Sequence, residues 1–293
     1  MMTLKNLSSA LLVAAFVVAA AGAAQAALPE TVTVGNPGNK ADTTDFGAVA
    51  YEYKIGKYEV TNAEYCEFLN AVAKTDTHEL YDPRMDGGPE DWGGISRSGD
   101  SGSYTYAVRE GFAKKPVGYV TWHSCIRFVN WLSNGKGKGD TEKGSYTIDG
   151  DGVDQVKVPD HAALAKGTTT KWVMASENEW YKAAYYDAKK AGGAGYWQFP
   201  VKSDDPCQAN FNSNAPTEGG QFKESVSPYG TYDQGGNAWE YNDNVSNGKV
   251  GLRGGSYYIN DRDDYMRALT RYDVLSAKWP HYGFRVVALG GSK

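Results

Sequence analysis

Gly236-Asn237-Ala238-Trp239-Glu240, then Leu252-Arg253-Gly254-Gly255-Ser256-Tyr257, and near the end Gly283-Phe284-Arg285-Val286 set the character of this chain. Each segment puts glycine, which reaches backbone conformations closed to other residues, beside large apolar side chains. That combination reads as tight turns holding aromatic groups in place. No helical period runs from Ala209 onward, and short strands are expected around residues 250–256 and 284–288.

Working outward from there, three helix starts stand out in the earlier part of the chain. Thr61-Asn62-Ala63-Glu64 is a capping box, followed by Tyr65, Phe68, Leu69 and Val72 at helical spacing. A second helix is expected from about Thr121, with Cys125, Phe128, Val129 and Leu132 on one face. Ser176-Glu177-Asn178-Glu179 is another capping box and leads into Trp180, Ala183 and Ala184. Residues 27–46 read as an entry strand and loop, and 51–60 as a strand with a turn or bulge at Ile55-Gly56-Lys57-Tyr58. Residues 87–102 and 135–167 are Gly/Asp/Ser/Thr-rich and are expected to be loops or short hairpins. The fold class is α+β with little regular secondary structure.

The 293 residues carry 35 acids against 30 Lys plus Arg, with 41% hydrophobic and 22% charged residues. This excludes a disordered chain, and an acidic chain with scattered bases lacks the electrostatic footprint of a nucleic-acid binder. Residues 1–26 read as a signal peptide: Lys5, an apolar run from Ala10 to Ala21, then Ala24-Gln25-Ala26. The run is too short for a membrane span and no second one follows. A secreted or periplasmic single domain, 27–293, with cleavage after Ala26, is expected. Cys66, Cys125 and Cys207 show no C-x-x-C spacing, and the first two fall on apolar helix faces, which points to buried, inert thiols.

Six segments together resemble the formylglycine-generating enzyme, or sulfatase-modifying factor, family. They are residues 58–65 (Tyr-Glu-Val-Thr-Asn-Ala-Glu-Tyr), Pro116-Val117-Gly118-Tyr119-Val120-Thr121-Trp122, residues 175–184 around the second capping box, and the three segments quoted first. The likeness spans residues 51–288. It implies an irregular C-type-lectin-like fold. The family's oxidases use two cysteines that bind copper(I) shortly after the Gly-Gly-Ser-Tyr segment. Here Ile259 falls where the first belongs and Asp263 or Asp264 where the second does, and no cysteine follows Cys207. Copper is not expected, because copper(I) needs soft thiolate ligands. A non-haem iron site of the ergothioneine type is not expected either, since His78, His123, His161 and His281 are far apart in sequence and the extra helical domain is missing.

The resemblance further implies that Trp239, Ser256 and Arg271 line a ligand cleft, with Asp264 and His281 at positions where the family has other residues, and Tyr258 of the aromatic-rich segment completes the expected set; for Trp239 and Ser256 a purely structural role stands beside this one. It implies one Ca²⁺ on Asp233, Gly236, Ala238 and Glu240, the middle two through carbonyls, as suits a hard cation. A second family calcium site maps only to Asn210 and Phe211. Asp149-Gly150-Asp151-Gly152-Val153-Asp154 lacks the loop glycine and the closing glutamate of a calcium hand and reads as a turn. Arg285 reads as one half of a structural ion pair. Residues 257–282 are rich in Tyr, Asp, Asn, Arg and Trp, as recognition surfaces are. The favoured function is a module binding an unidentified protein, peptide or glycan. The alternatives are an enzyme with other chemistry at Asp261, Asp263, Asp264 and His281, residual sulfatase modification through Cys66, Cys125 or Cys207, and a retroelement-diversified display protein, which some secreted members of this fold are.

Overall fold

The three expected helix starts are built by the chemistry that announced them. In the computed structural model, which describes residues 28–88, 90–206, 208–258 and 262–291, helix α1 spans Asn62–Val72. Thr61 Oγ1 accepts from the Glu64 amide while the Glu64 carboxylate accepts from the Thr61 amide at 2.7 Å. Helix α2, Trp122–Ser133, is capped by Thr121, which accepts from Ser124. A short helix α3, His161–Ala165, starts at the Asp160 carboxylate and was not anticipated, since five residues are too few to show a period. Helix α4, Glu177–Tyr185, opens with the full Ser176 capping box. The expected leader, Cys207, and Ile259 to Asp261 lie outside the described residues.

Two four-stranded sheets carry the rest. In the first, all antiparallel, the order is Thr31–Val34, Tyr53–Gly56, Val286–Leu289 and Lys171–Met174. Strands from the two ends of the described chain thus share one sheet, with Val287 opposite both Ile55 and Val173. The second has the order Tyr272–Val274, Lys249–Arg253, Trp239–Ser246 and Tyr282–Phe284, its last pair parallel. Strands Trp239–Ser246 and Lys249–Arg253 are joined by Asn247-Gly248, both at positive φ, the two-residue turn whose twist matches a hairpin. Residues 95–108 and 147–157 form short hairpins, as expected for the glycine-rich stretches.

The eight-residue strand Trp239–Ser246 escapes a hydrophobic-pattern reading because it is buried on both faces while carrying polar groups: Glu240, Asn242 and Asp243 are all inside. Each is tied to a partner, as buried polar groups must be. Helix α2 packs against the first sheet, and its Trp122 indole donates to the Asn242 carbonyl at 2.8 Å. Around it Tyr65, Phe68, Phe128, Trp131 and Phe284 form a continuous set of ring contacts. Cys66 and Cys125 are buried on this core face, and burial pushes the Cys66 thiol up to about 11. Among the described residues no helix is long and apolar enough to cross a membrane.

A buried ionic relay ties α3, α4 and the long strand together. His161 Nδ1 lies 2.9 Å from Glu179 and Nε2 2.9 Å from Asp243. Tyr51 donates to Glu179 at 2.8 Å and Tyr146 to Asp243 at 3.0 Å. Burial alone would lower the histidine, but the two carboxylates raise it to about 11, so it is an imidazolium at neutral pH. Its folded value lies above its unfolded one, so its contribution to stability is complete below about pH 6.5 and is lost as pH rises toward 11. Unfolding free energy should therefore fall between about pH 6.5 and 8, with a slope of at most about 1.4 kcal/mol per pH unit. His161→Gln should remove that slope and cost about 3–5 kcal/mol, because two buried carboxylates lose their cation. Urea unfolding of both proteins across this range checks it; an unchanged slope in the variant would show that the relay is not ionic.

Candidate functional site

The Gly254-Gly255 pair sets the site's floor. Both have positive φ, and a Cβ on Gly254 would lie 3.0 Å from the Gln234 carbonyl, so the chain can leave the strand only through glycine here. Ser256 and Tyr257 then run beneath the surface, with the Tyr257 amide donating to the Asn237 carbonyl at 3.0 Å. Tyr258 emerges. Its ring stacks on His281 at 4.6 Å and 24°, and Trp92 meets Tyr257 and Tyr258 edge-on at 5.4 and 6.0 Å. Trp279, half exposed, tilts against His281 at 6.1 Å.

The segment Pro116 to Trp122 positions this loop. A Cβ on Gly118 would come within 2.1 Å of the Pro280 carbonyl, and the Tyr119 amide donates to the Trp279 carbonyl at 2.8 Å. The Trp239 amide donates to the His281 carbonyl at 2.9 Å, which links the loop to the long strand. The Trp239 ring is nearly buried and packs 5.5 Å from both Tyr265 and Tyr272. Two ring groups result, Trp92, Tyr257, Tyr258, His281 and Trp279 in one and Trp239, Tyr265 and Tyr272 in the other, linked by the Trp239–His281 backbone hydrogen bond. Burial lowers His281 to about 4, so it is neutral, and its Nδ1 and the Tyr257 hydroxyl are buried without a protein partner.

The six expected cleft residues do not all line this face. Tyr258 and His281 are in contact on it, and Trp239 lies just below. Ser256 is fully buried, with its Oγ accepting from the Tyr258 amide at 3.2 Å, so it supports the turn. Arg271 is held by Glu177 at 2.9 Å and by both oxygens of Asp273 at 2.7 Å. Asp264 sits at the rim, 3.4 Å from Arg262 and from Arg267. It makes no pair with His281, so the acid–base arrangement weighed for these residues is not assembled among those described. Trp92 was not singled out: it stands alone in a glycine-rich loop with no period to place it. The thiols stay remote in role, because Cys66 and Cys125 are buried in helices.

One of the expected calcium ligands also has a partner within the protein. Both oxygens of Glu240 are held by Arg285, at 2.6 and 2.5 Å, and Oε2 also accepts from the Trp180 indole at 2.7 Å. Glu240 is first of all the partner of a fully buried guanidinium, as expected for Arg285 itself. Asp233 fits a cation better. Its carboxyl is buried, accepts from the Gly220 amide at 2.6 Å, and is raised to about 6 by burial with Glu240 nearby. Three buried carboxyls, Glu59, Asp233 and Glu240, act on the one guanidinium of Arg285, and Glu59 Oε1 has no hydrogen-bond partner. Burial holds the Glu59 carboxyl well above its ordinary range, which favours its neutral form until a cation is present. Among the described residues no three His, Cys, Asp or Glu side chains converge as a metal cluster, so a cation here would rest largely on carbonyls. Asn210 is engaged with Ala215 and Asn237, and the 149–154 segment closes as a turn with the Asp149 amide on the Gln155 carbonyl.

The model of the sulfatase-modifying factor enzyme 1-like domain family matches residues 13–289. Among solved structures, the chain is similar to Treponema denticola variable protein 1 at 19% identity, with a TM-score of 0.51, covering 88% of this chain and 94% of that one. It is similar to CarF at 19% identity, with a TM-score of 0.50, covering 89% and 98%. No curated protein matches. At these identities the structures speak for the shared fold: mixed α+β, with little regular secondary structure.

Glu240→Gln should cost about 3–5 kcal/mol in urea unfolding, since it leaves Arg285 charged and buried. A loss under about 1 kcal/mol would mean that the guanidinium finds its charge balance elsewhere.

Proposed function

We propose, from the premise that the chain belongs to the sulfatase-modifying factor enzyme 1-like domain family, that it is an exported binding module using the face built from Trp92, Tyr258, Trp279 and His281. The observation that carries this reading is the Tyr258–His281 stack with Trp92 and Trp279 against it, on a face to which the described cysteines contribute nothing. Aromatic side chains give large, rigid contact area at low entropic cost, and a neutral histidine adds a polar handle. A fold by itself supports many functions, so the reading rests on the site.

A calcium ion on Asp233 with the carbonyls of Gly236 and Ala238 is part of the proposal; what supports it is the surplus of buried carboxyls around Arg285. Export is supported by the pattern of residues 1–26. A second reading, that residues 257–282 are diversified, takes its support from their Tyr, Asp, Asn and Arg content and from the name of the variable-protein neighbour. It requires a near-copy of that coding segment, differing at adenines, beside a reverse transcriptase.

The test is a screen of the purified protein against peptide and glycan arrays, with calcium on the order of 1 mM or with chelator. At least one probe should bind, and Tyr258→Ala should weaken it about tenfold or more without lowering Tm. Calcium should raise Tm in the parent and not in Asp233→Asn. Binding that is indifferent to Tyr258 and Trp92 would contradict the assigned face, and a Tm indifferent to calcium would remove the ion.

A further inference from the structure

Glu59 is 3% exposed, and its Oε1 has no hydrogen-bond partner. A buried carboxyl oxygen left in that state is destabilising unless something meets it. The Arg285 guanidinium does not. It donates to both oxygens of Glu240 and to the carbonyls of Gly56, Lys57 and Tyr232. Those acceptors match the donor capacity of one guanidinium, and none of them belongs to Glu59. Asp233 stands in the same position. Its buried carboxyl accepts from the Gly220 amide, while the ion pair of Arg285 goes to Glu240.

Glu59 and Asp233 enter the interior from adjoining backbone. The Tyr232 amide donates to the Lys57 carbonyl at 2.9 Å, and the Tyr58 and Tyr232 rings stack at 5.7 Å. Each carboxyl belongs to the residue that follows one of those tyrosines. Gly220 closes the contact, since a Cβ there would lie 2.8 Å from the Tyr58 ring. Burial is the main cause that raises the Glu59 carboxyl, and Asp233 is the next. Glu59 also lines a cavity of about 70 Å³ with Glu30, Thr61 and Glu64. Glu30 is exposed, so acidic groups border an approach from the surface, as a cation would need.

Resting on the calcium reading above, we infer that Glu59 is a calcium ligand beside Asp233, in place of Glu240, which is held by Arg285. Two carboxylates match the charge of a divalent cation, and oxygen donors suit calcium. The ion joins the start of α1 to the loop before the long strand, because Glu59 lies just before the Thr61 cap.

In the test, calcium is titrated calorimetrically into the purified protein after chelator treatment, and Tm is recorded with and without the ion. Glu59→Gln should weaken calcium binding about tenfold or more and remove the calcium-induced rise in Tm. Its Tm in chelator should be no lower than the parent's, since glutamine keeps the shape and brings no charge to bury. Parental calcium affinity in Glu59→Gln would overturn the inference; if Asp233→Asn loses the ion at the same time, the calcium reading survives. A Tm that falls in chelator would mark Glu59 as structural and overturn it as well. Loss of affinity in Glu59→Gln with Asp233→Asn unaffected would overturn the shared site. Should Glu59→Gln fail to fold, Glu59→Asp decides: its shorter side chain should bind calcium more weakly, and parental affinity would overturn the assignment. A parent that binds no calcium removes the ion and this role together.

Discussion

The guanidinium of Arg285 is the point on which the architecture turns. It is fully buried between strands of the two sheets, Tyr282–Phe284 in one and Val286–Leu289 in the other. From there it reaches the Gly56 carbonyl of the first sheet, the Tyr232 carbonyl of the preceding loop, and both oxygens of Glu240 in the second sheet. Glu240 also accepts from Trp180 of α4. A charge placed in such surroundings is tolerable only if every donor finds an acceptor, so this one residue constrains two sheets, a loop and a helix at once. The His161 relay does the same on the other side of α4, through Glu179 and Asp243. Two buried ionic clusters, in place of long regular elements, hold a loop-heavy chain in one arrangement.

That framework places the aromatic face. Glu240 follows Trp239 on the long strand, and Arg285 follows Phe284 on the last strands; the register that pairs Glu240 with Gly283 also sets Trp239 opposite Tyr282. The loop carrying Trp279 and His281 is then closed against Tyr119 and Trp239 by backbone hydrogen bonds. Tyr258 reaches His281 because Gly254 and Gly255 let the chain turn beneath it. The chemistry at that surface is aromatic rings and a neutral imidazole, and the sequence has no cysteine after Cys207.

The parts of the fold legible in the sequence were those with local causes. Thr61, Thr121 and Ser176 announced their helices because a cap acts within three residues, and glycine-rich stretches announced hairpins for the same reason. The strand Trp239–Ser246 was hidden because its buried polar residues cancel the alternation a half-exposed strand would show; the Asn247-Gly248 turn after it, which went unread, is the local signal that could have found it. Of the site, His281 was placed by resemblance and Tyr258 by the aromatic richness of its segment, and the two rings stack. Ser256 and Arg271 were placed in the cleft because resemblance carries position and says nothing of rotamer or partner; one is buried and the other is held by two carboxylates. The ion pair of Glu240 was not legible for a similar reason, since its guanidinium partner lies 45 residues away in the chain. Trp92 could be placed only by the fold.

The proposed binding face stands against the copper–thiolate oxidase chemistry that resemblance to the formylglycine-generating enzymes would otherwise imply. The most direct measurement incubates the purified protein, loaded with copper(I), with a cysteine-containing sulfatase-motif peptide under oxygen, and follows the peptide by mass spectrometry. The account predicts an unchanged peptide alongside a protein whose thermal unfolding confirms that it is folded. Conversion of the peptide thiol to an aldehyde would contradict it, and would place a working thiol site among Cys66, Cys125 and Cys207.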